Sequence, residues 1–397
     1  MTSPQVRQAS PAALEHVRVV EIAAGKAVAY TGALLAQCGA EVIRIEPPGG
    51  DAIRAAGPFR DDRPSANGGG LHQLLNGGKR SVALDVRTDS GAHYAAKLIA
   101  SADMLVTNWK TASALPLDDP EAFARRFPNT IYLSISEFGR TGPYAGYEAD
   151  SLIIEGLAGM SYVSGKPDRE PMGSGVDVAD YFAATTAWIA GLAALADSIA
   201  GAPHHFVDVS AFEALACADD HNLPVYIGTG AIRRRYYSRV LIMYPSDSFK
   251  VKDGYVAFVP AGPDFAGAVS KLLERPDLAS DPLLLQSQER VIRWRDFDEI
   301  VKPWMESHTK EEVLRRSDEL GLAFSNVATT KDLVEDPHLA AREYWQRLPD
   351  GTVVPGPSAK LSETPLRVRP APDLGEATAE LLGLDPQAGT LLWRGEA

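Results

Sequence analysis

The sequence predicts an α/β protein in which helices wrap a parallel sheet. Short β-branched runs alternate with segments of helical spacing through the first 136 residues, the order that builds parallel strands. From residue 151 the texture turns helical, and around 225–260 it changes again to a hairpin pattern. With 397 residues the chain has room for two or three domains and a sizeable core.

The elements follow in order. VRVVEI (17–22) reads as a strand, YTGALLAQCGA (30–40) as a helix and EVIRIE (41–46) as a strand. SVALD (81–85) is a further strand, and RTDSGAHYAAKLIASAD (87–103) a helix opened by Asp89 or Ser90. MLVTNW (104–109) and TIYLSIS (130–136) are short buried strands. Helical patterns then cover SLIIEGLAGMSYV, residues 178–199, and SAFEALACADD after the strand HHFVDV. SDSFKVKDGYVAFVP is a hairpin with Asp253-Gly254 at its turn, and the helix TKEEVLRRSDELG ends in glycine. Residues 348–375, rich in Pro and Gly, read as a turn-filled tail laid over another domain.

Composition narrows the function classes. A net charge of −13 and a pI near 5.1 argue against nucleic acid or an anionic membrane as the main partner, while leaving room for a local basic pocket. Cys38 and Cys217 have no metal-ligand or disulfide-framework spacing, and the histidines form no HExxH pattern, so no metal site is expected. The first fifteen residues lack the apolar core of a signal peptide. The apolar run at 181–196, interrupted by Thr185 and Thr186, falls short of the roughly 18–20 residues of a membrane span. A cytoplasmic location is expected.

Three motifs carry possible chemistry. In the first βαβ pattern Glu46 stands where a ribose-binding acid belongs, but the turn AAGKAVAYTG lacks the dinucleotide glycines beyond Gly25. LLNGGKRSVALD (74–85) has Arg80 where a phosphate loop needs Ser or Thr. What survives there is a metal-free phosphate contact through the Gly77 and Gly78 N–H groups beside Lys79, against the alternative of an ordinary loop entering a strand. The third motif is GVDVADYFAATTAWIAGLAAL (175–195), with Asp177 and Asp180 at the start of a helix apolar on every face. Asp177 fits an N-cap and Asp180 a first-turn anion, which is the ordinary reading. The functional one is that a carboxylate at the N-terminus of a buried helix is partly desolvated yet held ionised, and so a competent nucleophile.

Taken together these stretches resemble family III CoA-transferases, the CaiB/BaiF family that includes formyl-CoA and carnitine CoA-transferases. The resemblance runs in order from about residue 16 to about 385. It takes in the opening βαβ with its GGDAIR tail, LNGGKRSVALD, ADMLVTNW, IYLSISEFGRTGPY, GLAGMSYVSGKPDREP, GVDVADYFAATTAWIAGLAAL, FVDVSAFEALA, KDGYVAF, VEDPHLAARE and APDLGE. It implies a Rossmann-like large domain with a parallel sheet, built from residues 1–215 and 330–397, and a smaller α+β domain at 216–329. It also implies two ring-shaped monomers interlocked as a dimer. The family's catalytic aspartate falls on Asp180, which would pass CoA from an acyl-CoA to a carboxylic acid through an aspartyl-CoA thioester; CoA is a co-substrate and no cofactor is implied. The family's CoA contacts fall on Lys26, Ala27, Asn76, Gly77, Gly78, Lys79, Asn108 and Trp109.

The chain departs from the family pattern at several points. Lys26 stands where neutral residues are usual, which makes it a candidate for binding the acceptor's carboxylate, with a CoA phosphate or solvent as the alternatives. Pro47 replaces a basic residue, NWKTASALPLDDP replaces N-F-x-P-G and its downstream arginine, and Glu137 replaces a glycine; Lys110 and Arg44 are the cations available to compensate. Two rival readings share the fold. An α-methylacyl-CoA racemase-like isomerase would carry a histidine base where Asp150 stands, and a non-catalytic CoA-binding subunit of a hetero-oligomer would tend to lack the aspartate. The run Arg233-Arg234-Arg235 is open to three readings: a solvated face, a partner surface or an anion site.

Overall fold

The computed structural model describes residues 11–59, 62–202, 206–218, 222–236, 243–262 and 264–385. It divides into two units, the first comprising Met1–Ala158, Ser174–Asp219 and Pro337–Ala397, the second Gly159–Gly173 and Asp220–Asp336. The chain thus leaves the first unit twice. This differs from the single small domain at 216–329 expected from the sequence, which leaves residues 159–173 in the large one.

The first unit is organised by six strands: β1 (Arg18–Ile22), β2 (Glu41–Glu46), β3 (Arg80–Ala83), β4 (Met104–Thr107), β5 (Ile131–Ser136) and β6 (Phe206–Ser210). Their spatial order is β3-β2-β1-β4-β5-β6, with every adjacent pair parallel. This is the doubly wound order, in which the chain direction across the sheet reverses between β1 and β4 and opens a crevice at their C-terminal ends. A parallel sheet needs cover on both faces, so its strands are apolar nearly throughout. Alternate residues face opposite layers: Val20, Ile22, Ile43 and Ile45 join one core with Ala95 and Ile99. Val19, Val42, Val106 and Leu133 join the other with Val28, Ala183 and Ala187.

Local chemistry explains the helix boundaries. Helix Asp89–Ala100 is capped by Thr88, whose hydroxyl accepts the Gly91 N–H at 3.0 Å, and not by Asp89 or Ser90. Helix Lys26–Gln37 follows β1 after the three-residue turn Ala23-Ala24-Gly25, and the φ of 96° at Gly25 lies in the region that favours glycine. The helix Val178–Ile199 presents a row of small residues (Ala179, Ala183, Ala187, Gly191, Ala194) to the sheet. A Cβ on Gly191 would sit 3.2 Å from Leu133 Cδ2 and Met104 Cε, so the approach there is close. Against the sequence expectation, only this face is buried, and Ile189 and Ile199 on the other are 64% and 75% exposed. With 22 residues and an 18-residue window of mean hydropathy 1.4 it is long and apolar enough to cross a membrane, and a third of that window is buried inside the protein.

The tail lies on the first unit. Gly78 N–H donates to Pro370 O, Gly375 N–H to Ser81 Oγ, and Ala83 N–H to Thr378 Oγ1, which covers the β3 edge. The second unit holds an antiparallel sheet of β7 (Asp247–Val251), β8 (Gly254–Val259) and β9 (Ala323–Asn326) over a core containing Phe249, Phe258 and Phe297. Its hairpin turns at Lys252-Asp253, and Gly321 ends helix Lys310–Leu320 in the left-handed conformation. In the same unit Arg235 donates to the Tyr162 and Lys166 carbonyls and lies over the Tyr162 ring, and Arg233 donates to Asn222 Oδ1. These two arginines are therefore used internally: Arg235 ties segment 159–173 to segment 222–236, and Arg233 braces the latter within itself.

Candidate active site

A cavity of about 250 Å³ opens where the crevice between β1 and β4 is expected to bind. Its walls come from the turn after β1 (Ala24–Val28), Asn108 after β4, the end of β5 (Ile135–Glu137), residues Ala149–Ser151, and the start of the long helix with Asp177 and Asp180. Two helix N-termini converge here, those of Lys26–Gln37 and Val178–Ile199. Thr31 holds them in register: its hydroxyl donates to Ala27 O at 2.8 Å and lies 3.3 Å from Ala184 O.

Asp180 faces this cavity, and burial pushes its carboxyl from the ordinary 3.8 up to about 6. The Lys26 ammonium and a hydrogen bond from the Ala27 N–H pull the other way, while the negative charges of Asp177 and Glu137 add to the rise. The result is a desolvated carboxylate that is mostly ionised at neutral pH.

Asp177 starts the helix but does not cap it. Its side chain makes no capping hydrogen bond and instead pairs with Lys26, raising the pKa of that ammonium. The cap comes from Ser151, whose Oγ accepts the Ala179 N–H at 3.1 Å. Asp150, also on the cavity wall, accepts the Ile153 N–H at 3.0 Å and so caps its own helix, Ser151–Leu157.

The expected CoA contacts divide into two groups. Lys26, Ala27 and Asn108 line the cavity, and Trp109 and Lys110 follow Asn108 directly. Lys110, however, lies 2.5 Å from the Glu137 carboxylate and donates to Tyr147 O, so this compensating cation is paired with the acid that replaces the family's glycine. Trp109 packs under the Arg140 guanidinium at 5.0 Å. The second group lies elsewhere. Lys79 is buried and spends its three donors on Glu21, Ala29 O and Asn76 Oδ1, while Asn76 is fully buried. Gly78 N–H is taken by Pro370 O, and a Cβ on Gly77 would meet Arg369 O at 2.7 Å. This corrects the reading of residues 76–79 as an open phosphate loop: the tail covers it and Lys79 points inward. Arg44 is likewise buried between Glu21 and Asp51 and supplies no free charge.

A doubly wound sheet with a desolvated carboxylate lining a cavity at its switch point is the arrangement of an α/β ligand-binding site. Known proteins carry that further. The model of CoA-transferase family III matches residues 14–378. A succinyl-CoA–D-citramalate CoA-transferase of Chloroflexus aurantiacus is 31% identical, over 85% of this chain and 83% of its own. The alpha subunit of a succinyl-CoA–L-malate CoA-transferase of Chloroflexus aurantiacus is 32% identical, over 93% and 88%. The crystal structure of a CaiB/BaiF family protein from Brucella suis, 27% identical, superposes with a TM-score of 0.84 over 92% of this chain and 97% of that one. The chain belongs to CoA-transferase family III and is an enzyme of the CoA-transferase class.

Proposed function

We propose that the chain moves CoA from an acyl-CoA to a carboxylic acid, with Asp180 as the nucleophile. The observation that carries this is a carboxylate desolvated at the β1/β4 crevice yet held by the Ala27 N–H and the Lys26 charge. Asp180 attacks the thioester carbonyl and expels CoA thiolate, leaving a mixed anhydride. The thiolate returns to the aspartyl carbonyl, releasing the donor acid and forming an aspartyl-CoA thioester; the acceptor carboxylate attacks this, expelling CoA thiolate and forming a second anhydride, and the thiolate then takes the acceptor's carbonyl and frees the Asp180 carboxylate. A carboxylate suits this exchange because its anhydride and thioester interconvert with little change in free energy, whereas a serine ester would be too stable to return the CoA.

Lys26, Ala27, Asn108 and Trp109 would surround the thioester end of CoA. A second cleft of about 260 Å³, lined among others by Ile22, Ile45, Pro47, Val86 and Thr111, suits its adenosine end. The two Chloroflexus relatives are named for succinyl-CoA, which makes it the first donor to test. The exposed apolar face of helix Val178–Ile199 supports an interlocked dimer of two copies in the cytoplasm, and the relative that is an alpha subunit supports a second chain type as the alternative partner.

The test is a covalent trap: incubation with succinyl-CoA and other donors, borohydride reduction, and mapping of the modified peptide by mass spectrometry. A reduced side chain at Asp180 is expected. An unmodified Asp180 with every donor, in protein shown to bind CoA, would turn the reading toward a racemase-like enzyme or a silent subunit. Lys26 is the proposed anchor of the acceptor's carboxylate, which displaces Asp177 from it. Lys26→Met is therefore expected to raise KM for the acid about tenfold or more, the scale of one lost charge-assisted hydrogen bond, with KM for the acyl-CoA little changed. Equal increases in both constants would reject that role.

A further inference from the structure

Among the described residues that line the cavity, Lys26 is the one cation, against four carboxylates: Glu137, Asp150, Asp177 and Asp180. Two of these act on it. Asp177 accepts its hydrogen bond, and Asp180 adds to the rise in its pKa by charge alone. At Asp180 the Lys26 charge is the largest influence after burial, and the hydrogen bond that Asp180 accepts from the Ala27 N–H puts the two at the same turn. The ammonium thus stands within range of Asp180 and is committed elsewhere.

The Asp177 side chain has no structural duty that explains it. It makes no capping hydrogen bond, and the segment around it is fastened on both sides by helix Ser151–Leu157. Upstream, Ser174 donates its N–H and its hydroxyl to the buried Glu155 carboxylate, both at 2.7 Å; downstream, Ser151 Oγ accepts the Ala179 N–H. The Lys26–Asp177 pair adds little stability, since its side chains are 35% and 47% exposed. What the pair does is occupy the ammonium.

We propose that Asp177 is a decoy carboxylate: it holds the Lys26 ammonium off Asp180, so that the nucleophile is free of a direct ion pair when the acyl-CoA arrives. This rests on Asp180 being the nucleophile, and holds whichever anion Lys26 binds later in the cycle. A carboxylate gripped by an ammonium must shed a charge-assisted hydrogen bond before its oxygen attacks, which slows it by about tenfold or more. With Asp177 in place, that bond is made to a carboxylate that does not react. Lys26 keeps its proton throughout, and its charge still favours ionised Asp180 without touching it.

The first half-reaction tests this, because no acceptor acid is present to compete for Lys26. Succinyl-CoA labelled in the succinyl group is mixed with excess enzyme, and the succinate released in a single turnover gives the rate; Asp180→Asn sets the background. Asp177→Ala should slow the release about tenfold or more. Lys26→Met/Asp177→Ala should return most of the rate, since no ammonium remains to seize Asp180. A structural role would not be rescued by a second lesion. Asp177→Asn, which still accepts a hydrogen bond from Lys26, replaces the alanine variant if that fails to fold and should show a smaller loss in the same direction. The pH profile adds a second reading. The groups facing Asp180 are Lys26, Asp177 and Glu137 by charge, with Asp150 on the cavity wall and Tyr181 beside it. Losing Asp177 removes a charge that raises the Asp180 pKa and brings the Lys26 charge closer, so both changes favour the carboxylate. The acid limb, near pH 6 in the wild type, should therefore move down by about one unit or more in Asp177→Ala and back up in the double variant. A rate within about twofold of wild type in Asp177→Ala, or a loss that Lys26→Met leaves in place, overturns the proposal. Succinate released by Asp180→Asn at the wild-type rate would instead overturn the nucleophile assignment, so the two failures are told apart.

Discussion

Asp180→Asn is expected to abolish CoA transfer and, at neutral pH, to make the protein more stable. The amide keeps the size of the side chain and can still accept the Ala27 N–H, but it forms no anhydride. Activity should fall by roughly 10⁴-fold or more, the scale seen when a covalent nucleophile is removed. Stability follows from the proton. Burial raises the folded-state pKa from 3.8 to about 6, so the folded protein binds that proton more tightly than the unfolded chain does. The wild type therefore loses stability as pH rises from about 4 to about 6, and above 6 it carries the full penalty of an ionised, desolvated carboxylate. That penalty is at most about 3 kcal/mol, less whatever residual solvent contact relieves. Thermal melts at pH 4 and pH 7.5 check it: the variant should match the wild type at pH 4 and exceed it at pH 7.5. The same titration predicts that wild-type kcat/KM rises through about pH 6, because only the carboxylate attacks. A variant less stable than wild type at pH 7.5 would mean that the Asp180 charge is a structural asset.

The β-branched runs were legible as strands because their period and flanking turns are local properties, and the long helix as a helix for the same reason. Which face of that helix is buried within the chain was not legible, since an all-apolar surface carries no directional signal. The site was legible in one residue and obscure in its surroundings. Asp177-x-x-Asp180 has the spacing of a cap, and spacing alone does not reveal that Lys26 draws Asp177 away or that Ser151, remote in sequence, takes over the cap. The Gly77-Gly78-Lys79 stretch misled for a related reason. Its backbone donors and charge look like an anion site until Pro370 and Glu21, both distant in sequence, are found to occupy them. The Lys110–Glu137 pair is of the same kind: Glu137 breaks a family pattern, and only the fold shows that Lys110 pairs with it. Asp150, which the sequence marks only as standing in a histidine's place, caps its own helix.

Lys79 shows how the charges around the site are divided between structure and chemistry. It sits beneath helix Lys26–Gln37, where a Cβ on Gly32 would fall 1.9 Å from Glu21 Oε2, so a glycine is what allows Glu21 and Lys79 to meet. Burial pushes the Lys79 ammonium down to about 8 against the pull of Glu21, which leaves it charged at neutral pH. From it a chain of partners runs through the interior. Asn76 Oδ1 accepts from Lys79 at 2.9 Å, which turns the Asn76 amide N–H toward His72 Nδ1. His72 is held neutral, its pKa lowered to about 4, and its Nε2 lies 3.2 Å from Pro372 O and 3.1 Å from Arg54 Nη1. On the other side Glu21 joins Arg44, which joins Asp51. Lys79→Met removes one cation from this balanced set and leaves Glu21 short of a partner, which should destabilise the fold by about 3–5 kcal/mol. That is a large part of the 5–15 kcal/mol typical of a folded protein, and urea unfolding would register it as a lowered midpoint at unchanged slope. Adding Glu21→Gln removes the stranded charge as well, so the double variant should be more stable than the sum of the two single effects allows. Kinetics decide between structure and ligand binding in whatever folded enzyme remains. A lysine on a CoA phosphate would raise KM for acyl-CoA tenfold or more when lost. A lysine that only supports the first helix should leave KM within about threefold, with the loss confined to stability.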